Sequence, residues 1–144
     1  MPDYFVIRSQ INQKVVDARF GIVLTDFHNS DHQLWFKTGQ TIRPKNHPSH
    51  VLDLDYINAD QNGWARILLW PNYHGGPNQR WKIKNDEIVS QYKGLRLDVK
   101  TSSLHGDTTS SSREDPILGC NVRNAKSNHK WTIWYPNISP ENQQ

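Results

Sequence analysis

Gln33-Leu34-Trp35, Gln79-Arg80-Trp81 and His129-Lys130-Trp131 place one triplet in the chain three times, about 50 residues apart. Near-regular return of a triplet is the mark of an internal repeat, and two further markers recur in step with it. Upstream, an aspartate sits inside a short β-type apolar run: Val15-Val16-Asp17-Ala18, Val51-Leu52-Asp53-Leu54 and Leu95-Arg96-Leu97-Asp98-Val99. Between that run and the triplet lies an aliphatic run: Ile22-Val23-Leu24, Ile67-Leu68-Leu69-Trp70 and Ile117-Leu118-Gly119-Cys120. The second and third copies align without gaps, so Ile67, Trp70, Asn78 and Trp81 map in order onto Ile117, Cys120, Asn128 and Trp131.

Opening strands are expected at Tyr4 to Arg8, Gln40 to Arg43 and Glu87 to Tyr92. Turn-rich segments such as Asn72 to Pro77 and Thr101 to Asp115 separate the runs, and no stretch has a helical period. Each copy thus offers four short strands, and three copies point to a closed all-β architecture in which neighbours bury what one repeat cannot. We expect a single domain over 1–144, with repeats at about 1–38, 39–85 and 86–135 and a tail at 136–144.

A length of 144 residues suits one domain with a real core and is too short for two. Charged residues make up 22% and are mixed in sign, so only Pro136 to Gln144 look loose. The net charge of +3 is spread without a Lys/Arg run, which speaks against a nucleic-acid groove. No apolar stretch approaches the ~20 residues of a membrane span. Met1-Pro2-Asp3-Tyr4 lacks the basic-then-apolar pattern of a secretory signal. One cysteine, Cys120, excludes an internal disulfide framework. Together these lead us to expect a cytoplasmic protein without membrane insertion.

With its upstream Leu-Asp-Val-like strand, the repeated Gln-x-Trp resembles the ricin-B lectins, small intracellular fungal lectins among them, over roughly residues 4 to 135. The resemblance implies a β-trefoil of three pseudo-equivalent four-strand repeats that binds glycans, needs no cofactor and performs no covalent chemistry. His129 departs from the pattern where glutamine is expected; a neutral histidine can also donate one hydrogen bond and accept one.

Trp35, Trp81 and Trp131 read as core residues packed around a pseudo-threefold axis. Trp70 differs, because it ends its strand just before the Pro71 to Pro77 loop, where a ring can face outward. A pyranose has an apolar C–H face and a rim of hydroxyls, so it calls for a flat aromatic on one side and fixed polar groups on the other. In sites of the resembled family the aromatic corresponds to Trp70, the hydroxyl-binding aspartate to Asp53 and the amide to Asn78, with Gln79 beside it. Alternatives stand beside this: Asp53 as a strand-end aspartate bonded to nearby backbone, and Trp70 folded onto the barrel flank.

The other repeats are poorer. In the first, Asp17 reads as structural, with Thr25 or Phe27 at the aromatic position and His32 at that of the asparagine. In the third, Asp98 and Asn128 persist as a possible second carbohydrate site, but Cys120 replaces the aromatic. The family commonly reads galactose or N-acetylgalactosamine (GalNAc), and a homodimer would add avidity. The histidines are too scattered to define a metal site, a pH-tuned binding loop through His74 is an alternative that no residue pattern supports, and Cys120 carries no nucleophile signature. Competing readings are a β-trefoil protease inhibitor acting through residues 101–115 and a cytoskeletal or other protein-binding trefoil.

Overall fold

The computed structural model describes residues 3–19, 21–99, 118–122 and 129–136. The 101–115 loop, Ile117, Asn128 and 137–144 of the tail lie outside the described residues. Four strands form in each unit. The first holds β1 (Val6–Ser9), β2 (Val15–Asp17), β3 (Val23–Thr25) and β4 (Trp35–Thr38). The second holds β5 (Thr41–Pro44), β6 (Val51–Leu54), β7 (Trp64–Trp70) and β8 (Trp81–Lys84). The third holds β9 (Glu87–Ser90), β10 (Asp98–Val99), β11 (Leu118–Asn121) and β12 (Trp131–Trp134). Helical structure among the described residues is limited to single 3-10 turns at Asp31–Gln33, Tyr56–Asn58 and Pro77–Gln79.

Antiparallel pairs join each unit to the next: β4 with β5, β8 with β9, and β12 with β1. Further backbone bonds link the pairs, from Trp35 N–H to Phe5, from Trp81 N–H to Gln40 and from Trp131 N–H to Asp86, each at 2.8 Å. The other strands form hairpins, β2–β3, β6–β7 and β10–β11, and β11 also pairs with β7. At that last contact Gly119 is required, since a Cβ there would lie 2.1 Å from the Ala65 carbonyl oxygen. Three pairs and three hairpins from a thrice-repeated unit make a β-trefoil.

The three triplet tryptophans are fully buried (0% exposed) in the main core, with Ile7, Ile42, Leu52, Leu54, Ile88 and Leu97. Each indole N–H donates to the carbonyl of the residue before its repeat's aspartate: Trp35 to Val16 at 3.1 Å, Trp81 to Leu52 at 3.1 Å and Trp131 to Leu97 at 3.2 Å. Burial of the ring supplies the larger stabilising term, and the indole bond fixes its orientation.

Strand register corrects the gapless alignment of the second and third repeats. Asp53 pairs with Leu68 and Leu54 with Ile67, whereas Asp98 pairs with Gly119 and Val99 with Leu118. Leu118 and Cys120 therefore take the inward places of Ile67 and Leu69, and Asn121, not Cys120, stands where Trp70 stands. A single-residue difference in connection length moves every side chain to the opposite face. Cys120 is accordingly a core residue with 0% exposure, and burial pushes its thiol well above the usual range, as suits a packing role.

Trp81→Ala is expected to lower unfolding free energy by about 3–5 kcal/mol. Trp70→Ala, at a ring 42% exposed, should change it by less than about 1 kcal/mol. Urea denaturation followed by circular dichroism compares the two.

Candidate functional site

A shallow cleft of about 240 Å³ opens beside the β6–β7 hairpin. Asp53 from β6 forms its floor, Leu68 and Trp70 from β7 one side, and His74 and Asn78 from the following loop another. The segment after β6 completes it with Asp55, Tyr56, Ile57 and Asn58. Pleat alternation explains the selection. Along β7, Ala65 and Ile67 face the core while Arg66 and Trp70 face outward, so the strand's last ring stands at the cleft edge.

Asp53 is almost fully buried (6% exposed), and its carboxylate is held by two amides. Gln79 Nε2 donates to Oδ2 at 2.8 Å and Asn78 Nδ2 donates to Oδ1 at 3.1 Å. Asn78 also donates to the Leu54 carbonyl at 3.3 Å, which ties it to the strand carrying Asp53. Burial raises the Asp53 pKa above the ordinary carboxylate value; the Gln79 bond, nearby His74 and the Asn78 bond pull it down without cancelling that rise. The result is an oriented acceptor at the bottom of a cleft with an indole face beside it.

Gln79 itself is 0% exposed, with its amide engaged inside the protein. Its role is positioning. While its Nε2 holds Asp53, its Oε1 accepts the His74 backbone N–H at 2.8 Å and so anchors the loop. The structure therefore brings Asp53, Trp70 and Asn78 together at the cleft and places Gln79 behind them. From sequence, His74 and Asn58 could be placed only in the loops Asn72 to Pro77 and Asn58 to Trp64, with no contact to support a role for His74 in a pH-tuned loop. Asp55, Tyr56 and Ile57 were not singled out, and their only sequence signal is position just after the aspartate strand.

In the first repeat the same skeleton closes on itself. Register places Thr25 opposite Val15, as Trp70 stands opposite Val51, so Thr25 takes the aromatic position. Phe27 instead packs edge-on against Trp134, with ring centroids 5.3 Å apart. Asp17 Oδ2 accepts from Thr25 Oγ1 and Gln33 Nε2, both at 3.0 Å, and Oδ1 accepts the Arg19 N–H at 2.7 Å. Its carboxylate is thus consumed internally, and the hydroxyl offers no stacking face.

In the third repeat His129 does the work of glutamine: its Nδ1 lies 3.4 Å from Asp98 Oδ1 and its Nε2 2.9 Å from Ser9 Oγ. Asp98 is in place, Asn121 presents an amide where the indole stands in the middle repeat, and Asn128 lies outside the described residues. Among the described residues no cluster of three or more His, Cys, Asp or Glu side chains is arranged to hold a metal ion.

Fold and threefold Asp–Gln/His–Trp skeleton together define a β-trefoil of the carbohydrate-binding class. The chain belongs to the ricin-type β-trefoil lectin domain family, whose model matches residues 4–131. Among curated protein sequences, none matches it. Among solved structures, the C-half of an earthworm R-type lectin in complex with GalNAc is 19% identical; 92% of this chain and 98% of that one are covered, with a TM-score of 0.66. A ricin B-like lectin of Macrolepiota procera in complex with lactose is 18% identical, covering 92% of this chain and 95% of that one, with a TM-score of 0.65. The designed threefold-symmetric protein ThreeFoil is 19% identical, with coverage of 92% and 98% and a TM-score of 0.66. At these identities the likeness is one of fold.

Gln79→Leu would strip Asp53 of a donor and raise its pKa further. A raised carboxylate pKa penalises the folded state above that pKa, and the penalty fades as pH falls through it. The variant should therefore lose about 1–3 kcal/mol at pH 7 and less at pH 4, as measured by urea unfolding at both.

Proposed function

We propose that this chain is a lectin that binds galactose- or GalNAc-containing glycans through the middle-repeat cleft and carries out no catalysis. One observation carries the reading: Asp53, oriented by two amides, lies in the same 240 Å³ cleft as the half-exposed Trp70 ring. Two neighbouring sugar hydroxyls donate to the carboxylate, in bonds of the stronger, charge-assisted kind. The apolar face of the ring stacks on the indole. Asn78, whose Nδ2 is engaged with Asp53 and Leu54, leaves its carbonyl oxygen as an acceptor.

The small cleft implies weak monovalent affinity. Dimerisation or clustered glycans would then supply the working avidity. The GalNAc and lactose complexes of the earthworm and Macrolepiota proteins favour this sugar class here.

Calorimetry with GalNAc and with lactose, backed by a glycan array, tests the assignment. Asp53→Asn turns one acceptor into an NH₂ facing the amide of Asn78 or Gln79, and binding should fall below detection. Trp70→Ala should weaken it at least about tenfold, roughly 1.4 kcal/mol. Asp17→Asn should leave affinity unchanged while lowering thermal stability. Undiminished binding in Asp53→Asn would overturn the site, and no binding of any glycan by the wild type would overturn the function.

A further inference from the structure

The loop from Pro71 to Pro77 borders the cleft with a histidine whose neutral tautomer is set by geometry. The Gly76 backbone N–H donates to His74 Nδ1 at 3.0 Å. A backbone N–H can only donate, so Nδ1 must carry a lone pair, and the neutral ring must hold its proton on Nε2. His74 lines the same cleft as Asp53, Trp70 and Asn78.

The residue is held at backbone and ring. The His74 backbone N–H donates to Gln79 Oε1 at 2.8 Å, and Gln79 in turn holds Asp53 at 2.8 Å. A Cβ at Gly76 would lie 2.7 Å from His74 Cε1 and 2.9 Å from both His74 Nδ1 and Asn78 Oδ1. Loop, ring and asparagine therefore pack as one piece with room only for glycine.

We infer that His74 is a further sugar-binding residue, donating its Nε2–H to a ligand hydroxyl, and that protonation of its ring releases the sugar. This inference rests on the reading of the middle-repeat cleft as the binding site. A second proton would sit on Nδ1, facing the Gly76 N–H, and two donors cannot share that contact. The loop must then give way beside Asn78.

The new cation also shares its cleft with two carboxylates, Asp53 on β6 and Asp55 just after it, and with the Tyr56 phenol. β7 contributes only Leu68 and Trp70 there. On the outer side of the loop, Arg43 from β5 places its guanidinium 5.9 Å from the Tyr73 ring centroid. The imidazolium is thus drawn toward the carboxylate that the sugar hydroxyls require. Binding belongs to the neutral ring, so affinity falls at the lower pH where the ring gains its second proton.

Two measurements test this. Nitrogen-15 spectra of the free protein at pH 8 should show His74 with a bare Nδ1 and a protonated Nε2; the opposite tautomer would overturn the inference without any sugar present. GalNAc calorimetry at pH 7.5 and 5.5 should show affinity falling severalfold at the lower pH. His74→Ala should weaken binding at pH 7.5. His74→Gln keeps a donor and an acceptor but cannot titrate, so it should bind severalfold more weakly than wild type at pH 7.5 and lose the pH dependence. Wild-type binding indifferent to pH, or an undiminished pH dependence in His74→Gln, refutes the His74 switch and leaves the cleft assignment standing. Absence of GalNAc binding at every pH refutes both.

Discussion

Each repeat is tied together by the same pair of buried side-chain contacts. The tryptophan's indole N–H grips the carbonyl just before the aspartate, at 3.1–3.2 Å, and the residue two positions before that tryptophan reaches the aspartate itself. In the first two repeats this residue is glutamine, bonded at 3.0 and 2.8 Å; in the third it is His129, at 3.4 Å. Rings with 0% exposure lock the Trp strands into the core. The aspartates are therefore placed by the core, and any recognition surface built around them inherits that rigidity.

What differs between repeats is how much of the aspartate remains for anything outside the protein. Thr25 and Arg19 complete the Asp17 shell in the first repeat, and the short connection from Asp17 to β3 keeps those partners close. In the middle repeat the longer connection sets the 55–58 segment aside as a wall, and an indole replaces the threonine. One scaffold thus produces an internal strut in one place and an open receptor in another. The distinction arises from the length of that connection and from the side chains at equivalent strand positions, on a shared strand skeleton.

Much of this was legible in the sequence. The triplets located the three buried tryptophans because a ring of that size, recurring at one interval, has few places to go other than a shared core. Asp53, Trp70 and Asn78 could be grouped through the resemblance to the ricin-B lectins, to whose sugar-site positions they correspond. The buried place of Gln79 was hidden, since residue order does not reveal which way an amide points. Third-repeat register was hidden as well: Asn121 and Cys120 are neighbours on opposite faces, and residues alone do not show where a connection gains or loses one position. A pH-tuned loop through His74 could be named from sequence but not supported, because the support lies in a bond from the Gly76 backbone, which no residue pattern announces.

The single sulfhydryl of the chain, Cys120, lies sealed beneath the β7–β11 contact, where Gly119 presses against the Ala65 carbonyl. No reagent reaches it while the strands stay together. The rate at which a maleimide captures it therefore counts how often the trefoil breathes apart, giving the molecule an internal clock for its own opening. Copies of the chain also cannot crosslink through sulfur until that opening occurs.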